Sequence, residues 1–181
     1  MQPTYLFLDT EWADEIGAEL VSLALVSDDG QRRFYAERDP LPKHPTDFVR
    51  SVVYPLLNGN GSAMTDQVMT LSLRSFLMSV PEPSVIADYP NDLVLLKHAI
   101  SGFHLPSSEA ALCGPVPRTV MTTMLKEGRM GKLVEEYFRC HPESAARRHH
   151  ALVDAEALRT VWLIVTGRAV APTWAQGYLQ R

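Results

Sequence analysis

The sequence predicts an α/β protein, a mixed sheet covered by helices. Three observations carry this prediction. Strand-like segments open the chain, strands and helical segments then alternate, and the composition is that of an ordinary folded protein. With 181 residues, 46% hydrophobic and 21% charged, the chain suits one large domain and can bury a core without staples.

Thr4 to Leu8 reads as the first strand, built on the apolar run Tyr5-Leu6-Phe7-Leu8. Glu19 to Val26, "ELVSLALV", is the second, and its near-continuous apolar character predicts burial on most of both faces. Asp28-Asp29-Gly30 signals a turn, from which Gln31 to Glu37 returns as a third strand of an antiparallel meander. Pro45 to Leu57 carries Phe48, Val49, Val52, Val53, Leu56 and Leu57 at helical spacing, with Thr46 or Asp47 as N-cap. Asn58 to Asp66 is a glycine-rich loop, and Gln67 to Val80 an amphipathic helix stopped by Pro81 and Pro83. Ser84 to Tyr89 follows as a fourth strand, then Asn91 to Gly102 as a helix with Leu93, Leu95, Leu96 and Ile100 inward. Ala110 to Cys113 is a candidate fifth strand, and Thr119 to Glu127 and Lys132 to Phe138 read as short helices. His150 to Thr166 is the closing helix, with Leu152, Leu158, Val161, Trp162 and Val165 as its apolar positions. Pro172 marks the remainder as irregular, so residues 1–170 are assigned to the domain and 171–181 to a C-terminal tail.

A formal charge of −4 and a pI near 5.8 exclude a protein that coats nucleic acid by bulk electrostatics. They leave room for a nucleic-acid enzyme whose cations arrive as bound metal. Cys113 and Cys140 lack metal-type spacing and fit reduced thiols in a reducing compartment. No basic segment leads into a long apolar stretch at the start, and no run reaches the length of a membrane span. A cytoplasmic protein with no membrane partner is expected.

The chemistry-bearing residues are acidic. "FLDTEW" places Asp9 and Glu11 two positions apart at the end of a strand, where their side chains point the same way and repel unless a cation lies between them. "ADYPNDLVLL" puts Asp88 at a strand end and Asp92 at a helix start, and "RRHHALVDAEALR" puts His149 and His150 just before Asp154. A single Asp at a helix N-terminus is most often a cap or a dipole partner. Strand ends and helix starts are also where α/β folds build sites.

Taken in order, D-x-E after the first strand, Asp at a strand-to-helix junction, and H-x-A-x-x-D opening the last helix, the chain resembles the DEDDh branch of the 3′–5′ exonuclease superfamily. The likeness runs from residue 5 to about residue 165, and "FLDTEW…ELVSLALVSDDG" with "ADYPNDLVLL" looks closest to a 3′–5′ exoribonuclease family known from mycobacteria. The resemblance implies a ribonuclease H-like fold, with an antiparallel three-stranded meander plus parallel strands. It implies Asp9, Glu11, Asp92 and Asp154 as metal ligands and His149 as general base. The middle motif departs from the superfamily pattern, since Tyr89-Pro90-Asn91 precedes Asp92 where an Asn and an aromatic residue are usual. Asp88 therefore competes with Asp92 for that place, and "DLVLL" favours Asp92.

Phosphodiester hydrolysis needs an attacking hydroxide, neutralised phosphate charge and help for the departing oxygen, which two divalent ions about 3.5–4 Å apart can supply. Mg²⁺ or Mn²⁺, two ions per site, suits an all-oxygen ligand set. On this reading Asp9 bridges the ions, Glu11 and Asp154 hold the water-activating one, and Asp92 serves the second. His149, with an ordinary pKa near 6.5, is matched to proton transfer at neutral pH. Arg147 and Arg148 suit substrate phosphates or a solvated basic turn equally. Trp12 suits stacking on a terminal base or packing on a helix, and His150 suits a helix cap or a substrate contact.

The resulting expectation is an exoribonuclease acting on single-stranded or 3′-overhang nucleic acid and releasing nucleoside 5′-monophosphates. The resemblance, and no 2′-hydroxyl-reading motif, favours RNA, and it implies a homodimer. The alternatives are a 3′–5′ DNA exonuclease of repair or proofreading type, a non-catalytic binding module on the same fold, and an unrelated α/β protein with scattered acids.

Overall fold

A computed structural model describes residues 3–117, 121–125 and 128–179. The first three strands, β1 (Thr4–Trp12), β2 (Leu20–Ser27) and β3 (Arg33–Arg38), form the expected antiparallel meander, with Leu8 opposite Leu25 and Leu25 opposite Phe34. β4 (Ala63–Met64) pairs parallel with β3, and β5 (Pro83–Ala87) pairs parallel with β1. β6 (Met121–Met124) extends β5, also in parallel, to give the sheet order β4-β3-β2-β1-β5-β6. This is a mixed α/β sheet of ribonuclease H-like order. The helices are α1 (Asp66–Ser79), α2 (Pro90–Ser101), α3 (Ser107–Leu112), α4 (Arg129–Cys140), α5 (Pro142–Ala145), α6 (Ala151–Val165) and α7 (Thr173–Leu179).

Alternation along β1 divides the core. Leu6 and Leu8 join Leu23, Leu25, Phe34 and Ala36 against α1 and α2. Phe7 faces the other way and meets Leu158 and Trp162 of α6, beside Ala24 and Val26 packed on Ala151 and Ala155. β2 is central and wholly buried, as its apolar run predicts. The Thr65 hydroxyl accepts from the Val68 N–H at 3.4 Å to start α1, and α2 opens on Pro90 and ends at Gly102, whose φ of 104° suits glycine alone. Among the described residues no helix is long and apolar enough to cross a membrane.

Four local expectations are corrected. Ala110 to Cys113 is not a strand; its first three residues end α3, where Glu109, Ala110, Ala111 and Leu112 are all helix formers. Met121 to Met124 form strand β6 in place of the expected helix, because Ser84 to Ala87 offer an open parallel edge and Thr122 and Thr123 are β-branched; residues 119, 120, 126 and 127 of that expectation lie outside the described residues. The tail is not irregular throughout. Pro172 sits just before α7, where a proline costs no hydrogen bond, and Ala175 is buried beside Leu133 and Ile164. The segment expected as one α-helix from Pro45 winds instead as a π turn over Val49–Val53 followed by a 3₁₀ turn over Tyr54–Leu56, with the Thr46 hydroxyl accepting from the Val49 N–H at 3.3 Å.

Candidate metal centre

β1 and β5 run side by side in parallel, and the carboxyl end of β1 opens into a cavity of about 380 Å³ that also meets the start of α2 and α6. Asp9 and Glu11 reach it from the same face of β1, the face that carries Phe7 toward α6. Asp88 follows β5, Asp92 lies in the first turn of α2, and His149 and Asp154 flank the start of α6. The side chains fall into two groups. Oxygens of Asp9, Asp88 and Asp92 lie within 4.8 Å of one another; so do oxygens of Glu11 and Asp154 and a ring nitrogen of His149. Asp88 and Asp92 are therefore partners in one group instead of rivals.

Neighbours that sequence reasoning missed hold these groups in place. Thr10 donates to Asp92 Oδ1 twice, from its backbone N–H at 3.2 Å and its hydroxyl at 2.7 Å. The Asn91 amide donates to the Gly17 carbonyl at 2.8 Å and ties the loop after β1 to α2. His149 adopts φ 71°, a left-handed conformation that costs a non-glycine residue roughly 1 kcal/mol, and its N–H donates to Asp154 Oδ2 at 3.1 Å. Its ring meets Phe48 edge-on with centroids 5.0 Å apart. Strand alternation could have separated Thr10 from Asp9; nothing local in the sequence brings Phe48 to the site.

The site strongly resists negative charge. Burial, then Asp154, Asp92, Glu11 and Asp88, holds the Asp9 carboxyl well above the usual range. Burial, then Asp154 and Asp92, pushes Glu11 up to about 8. Burial is also the main cause that takes Asp92 up to about 7 against the Thr10 hydrogen bonds, and Asp154 up to about 7 against the His149 amide. Burial, then Arg148, pushes the His149 pKa down and favours the neutral ring. Asp9 Oδ2, Asp92 Oδ2 and Asp154 Oδ1 are buried with no hydrogen-bond partner among the described residues. Unpaired buried anions are costly, and a set of carboxylate oxygens fits hard divalent cations such as Mg²⁺ or Mn²⁺.

A pH-dependent response to metal follows. Each raised carboxyl holds its proton more tightly folded than unfolded, so the folded chain binds more protons and stability falls as pH climbs from about 4, the unfolded value, to about 8. His98, His149 and His150, held neutral mainly by burial, act in the opposite sense near neutrality, so the discriminating quantity is the increment produced by metal. Millimolar Mg²⁺ or Mn²⁺ should raise the melting temperature more at about pH 8 than at about pH 5.5, because protons compete for the same oxygens. Paired thermal melts with metal and with chelator check this; an equal or larger increment at the lower pH would contradict it.

The remaining expected contacts divide. Trp12 lines the cavity and stacks on Tyr89, centroids 5.6 Å apart and planes 18° apart. Arg148 also lines it, with its guanidinium paired to Glu135 and lying over the Phe138 ring at 5.0 Å. Arg147 does not line it and reaches Asn58 Oδ1 at 3.4 Å instead. His150 is corrected outright as a substrate contact: it is 1% exposed, with its ring stacked on Tyr35 at 4.6 Å, because the left-handed turn at His149 sends neighbouring side chains apart.

No protein-family model matches the chain, and no curated protein matches it. Fold and site together define a class: an α/β protein with a ribonuclease H-like sheet order and a carboxylate–histidine centre at the end of its first strand.

Proposed function

We propose that this protein is a metal-dependent 3′–5′ exoribonuclease. The observation that carries the reading is the convergence of Asp9, Glu11, Asp88, Asp92, Asp154 and His149 around one open cavity, with three buried carboxylate oxygens left unpartnered. The carboxylates of Asp9, Asp88 and Asp92 and those of Glu11 and Asp154 would supply ligands for two ions, with the His149 ring left beside the second group as a base. Bound there, Mg²⁺ or Mn²⁺ would neutralise the phosphate and lower the pKa of a water. His149, kept neutral by burial, takes the proton of the attacking water on its ring nitrogen. Asp154 Oδ2 fixes the backbone that carries this ring. Trp12 and the exposed Tyr89 offer aromatic faces to a terminal base, and Arg148 borders the cavity as a cation for the phosphate backbone. Attack on phosphorus breaks the bond to the 3′ oxygen of the preceding nucleotide and releases a nucleoside 5′-monophosphate. Direction of attack and preference for RNA rest on the resemblance of "FLDTEW", "NDLVLL" and "HHALVDA" to the DEDDh exonucleases.

Matched RNA and DNA oligonucleotides with free 3′ ends, incubated with Mg²⁺ or Mn²⁺ and resolved for mononucleotide products, test the proposal. Stepwise shortening of RNA from the 3′ end is expected. A strong preference for DNA would reassign the protein to DNA repair or proofreading. Metal binding without hydrolysis of either would leave a binding module on the same fold.

A further inference from the structure

Behind the centre lies a polar assembly, built around the buried Glu37 and His150, that the proposed chemistry does not use. Glu37, on β3, is 2% exposed. Its carboxylate accepts the Tyr35 hydroxyl at 2.6 Å, the Asn58 N–H at 2.6 Å and the Gly59 N–H at 2.9 Å. Tyr35 uses its other feature as well, stacking its ring on that of His150 at 4.6 Å with planes 19° apart. Asn58 Oδ1 in turn faces His150 Nε2 and the Arg147 guanidinium, both at a long 3.4 Å. His150 is thus gripped by a face and by an edge, and both grips lead back to Glu37.

A buried carboxylate is expensive, and among the described residues no cation pairs with this one. Its partners are a hydroxyl and two loop amides, so its work is to hold the loop at Asn58 and the Tyr35 ring in one place. Those two hold His150. The residue before His150 is His149, at φ 71°. A non-glycine residue persists in that conformation only when its surroundings over-determine it. The Asp154 carboxylate restrains His149 from one side through the amide, and His150 restrains it from the other through the peptide bond.

We infer that Glu37, Tyr35 and Asn58 are positioning residues: they anchor His150 and thereby hold His149 in its left-handed conformation, with its ring at the carboxylates. The inference on geometry stands by itself, while its catalytic consequence rests on the exoribonuclease reading of the site.

Two variants and two readouts test it on the full chain. Asn58→Ala removes the acceptor facing His150, and Tyr35→Phe keeps the stacked ring but releases it from Glu37. Amide hydrogen exchange by NMR should show the His149 N–H exchanging roughly 10-fold faster in both variants while amides of α1 keep their protection. Unchanged exchange at His149 in both would overturn the inference. With Mg²⁺ and an RNA oligonucleotide, kcat should fall roughly 10-fold in Asn58→Ala while KM stays within about two-fold. In a His149→Ala background the same substitution should have no further effect on rate, which a merely structural role would not produce. An undiminished further loss in that background would overturn the inference. If the wild type cleaves no oligonucleotide, the exoribonuclease reading fails, and the exchange measurement alone decides the positioning role.

Discussion

Asp9→Asn is expected to melt at a higher temperature than the wild type in the absence of metal, and to hydrolyse RNA at least about 100-fold more slowly in its presence. The two effects have one cause. Asp9 is half-buried beside Asp154, Asp92, Glu11 and Asp88, and its buried Oδ2 has no partner among the described residues. A neutral isostere spares the metal-free fold the cost of protonating Asp9 or of holding its charge among those neighbours, and its amide can donate to a carboxylate oxygen nearby. Relief of a buried, unpaired anion is worth on the order of 1–3 kcal/mol. The same change removes a cation ligand from the group it forms with Asp88 and Asp92. Metal-free thermal denaturation together with single-turnover hydrolysis checks both halves. A variant that is less stable without metal and still active would show that Asp9 is a structural acid.

His149→Ala is expected to lower hydrolysis by about 10²–10⁴-fold, the range for loss of a general base, while Mn²⁺ affinity changes little. The ring lies at the cavity beside Glu11 and Asp154, so its removal leaves the carboxylates in place. His150→Ala should fail differently. That ring fills a buried space against Tyr35, and its loss should appear first as lower thermal stability, on the order of 2 kcal/mol. Rate measurements at saturating Mn²⁺ and calorimetric metal titrations separate the two. A collapse of metal affinity in His149→Ala would make the imidazole a ligand and not a base.

The sheet was legible because its signals are periodic and local. "FLDTEW" alternates, "ELVSLALV" is apolar throughout, and Asp28-Asp29-Gly30 marks the turn to β3. α6 was legible from the spacing of Leu158, Val161 and Trp162. The failures lie where tertiary contacts outweigh propensity. Met121 to Met124 become a strand only because β5 presents an open edge, and α7 is anchored by Ala175 in a niche lined by Leu133 and Ile164. In the site, Asp9, Glu11, Asp92, Asp154 and His149 could be chosen by order and register. Asp88 reads in sequence as a rival to Asp92, because nothing in one dimension shows that a strand end and the following helix turn can aim two carboxylates at one point. Arg147 and Arg148 are equal candidates in sequence, and only the fold shows that Arg148 lines the cavity while Arg147 reaches Asn58; His150 is parted from His149 by the left-handed backbone of His149.

The acidic centre also binds the two ends of the fold together. Asp9 sits on the first strand and Asp154 on α6, the second-last helix, so neither half owns a complete cradle. A chain still emerging from the ribosome has its first carboxylates but lacks the helix that completes them, so the cradle is absent until synthesis has passed α6.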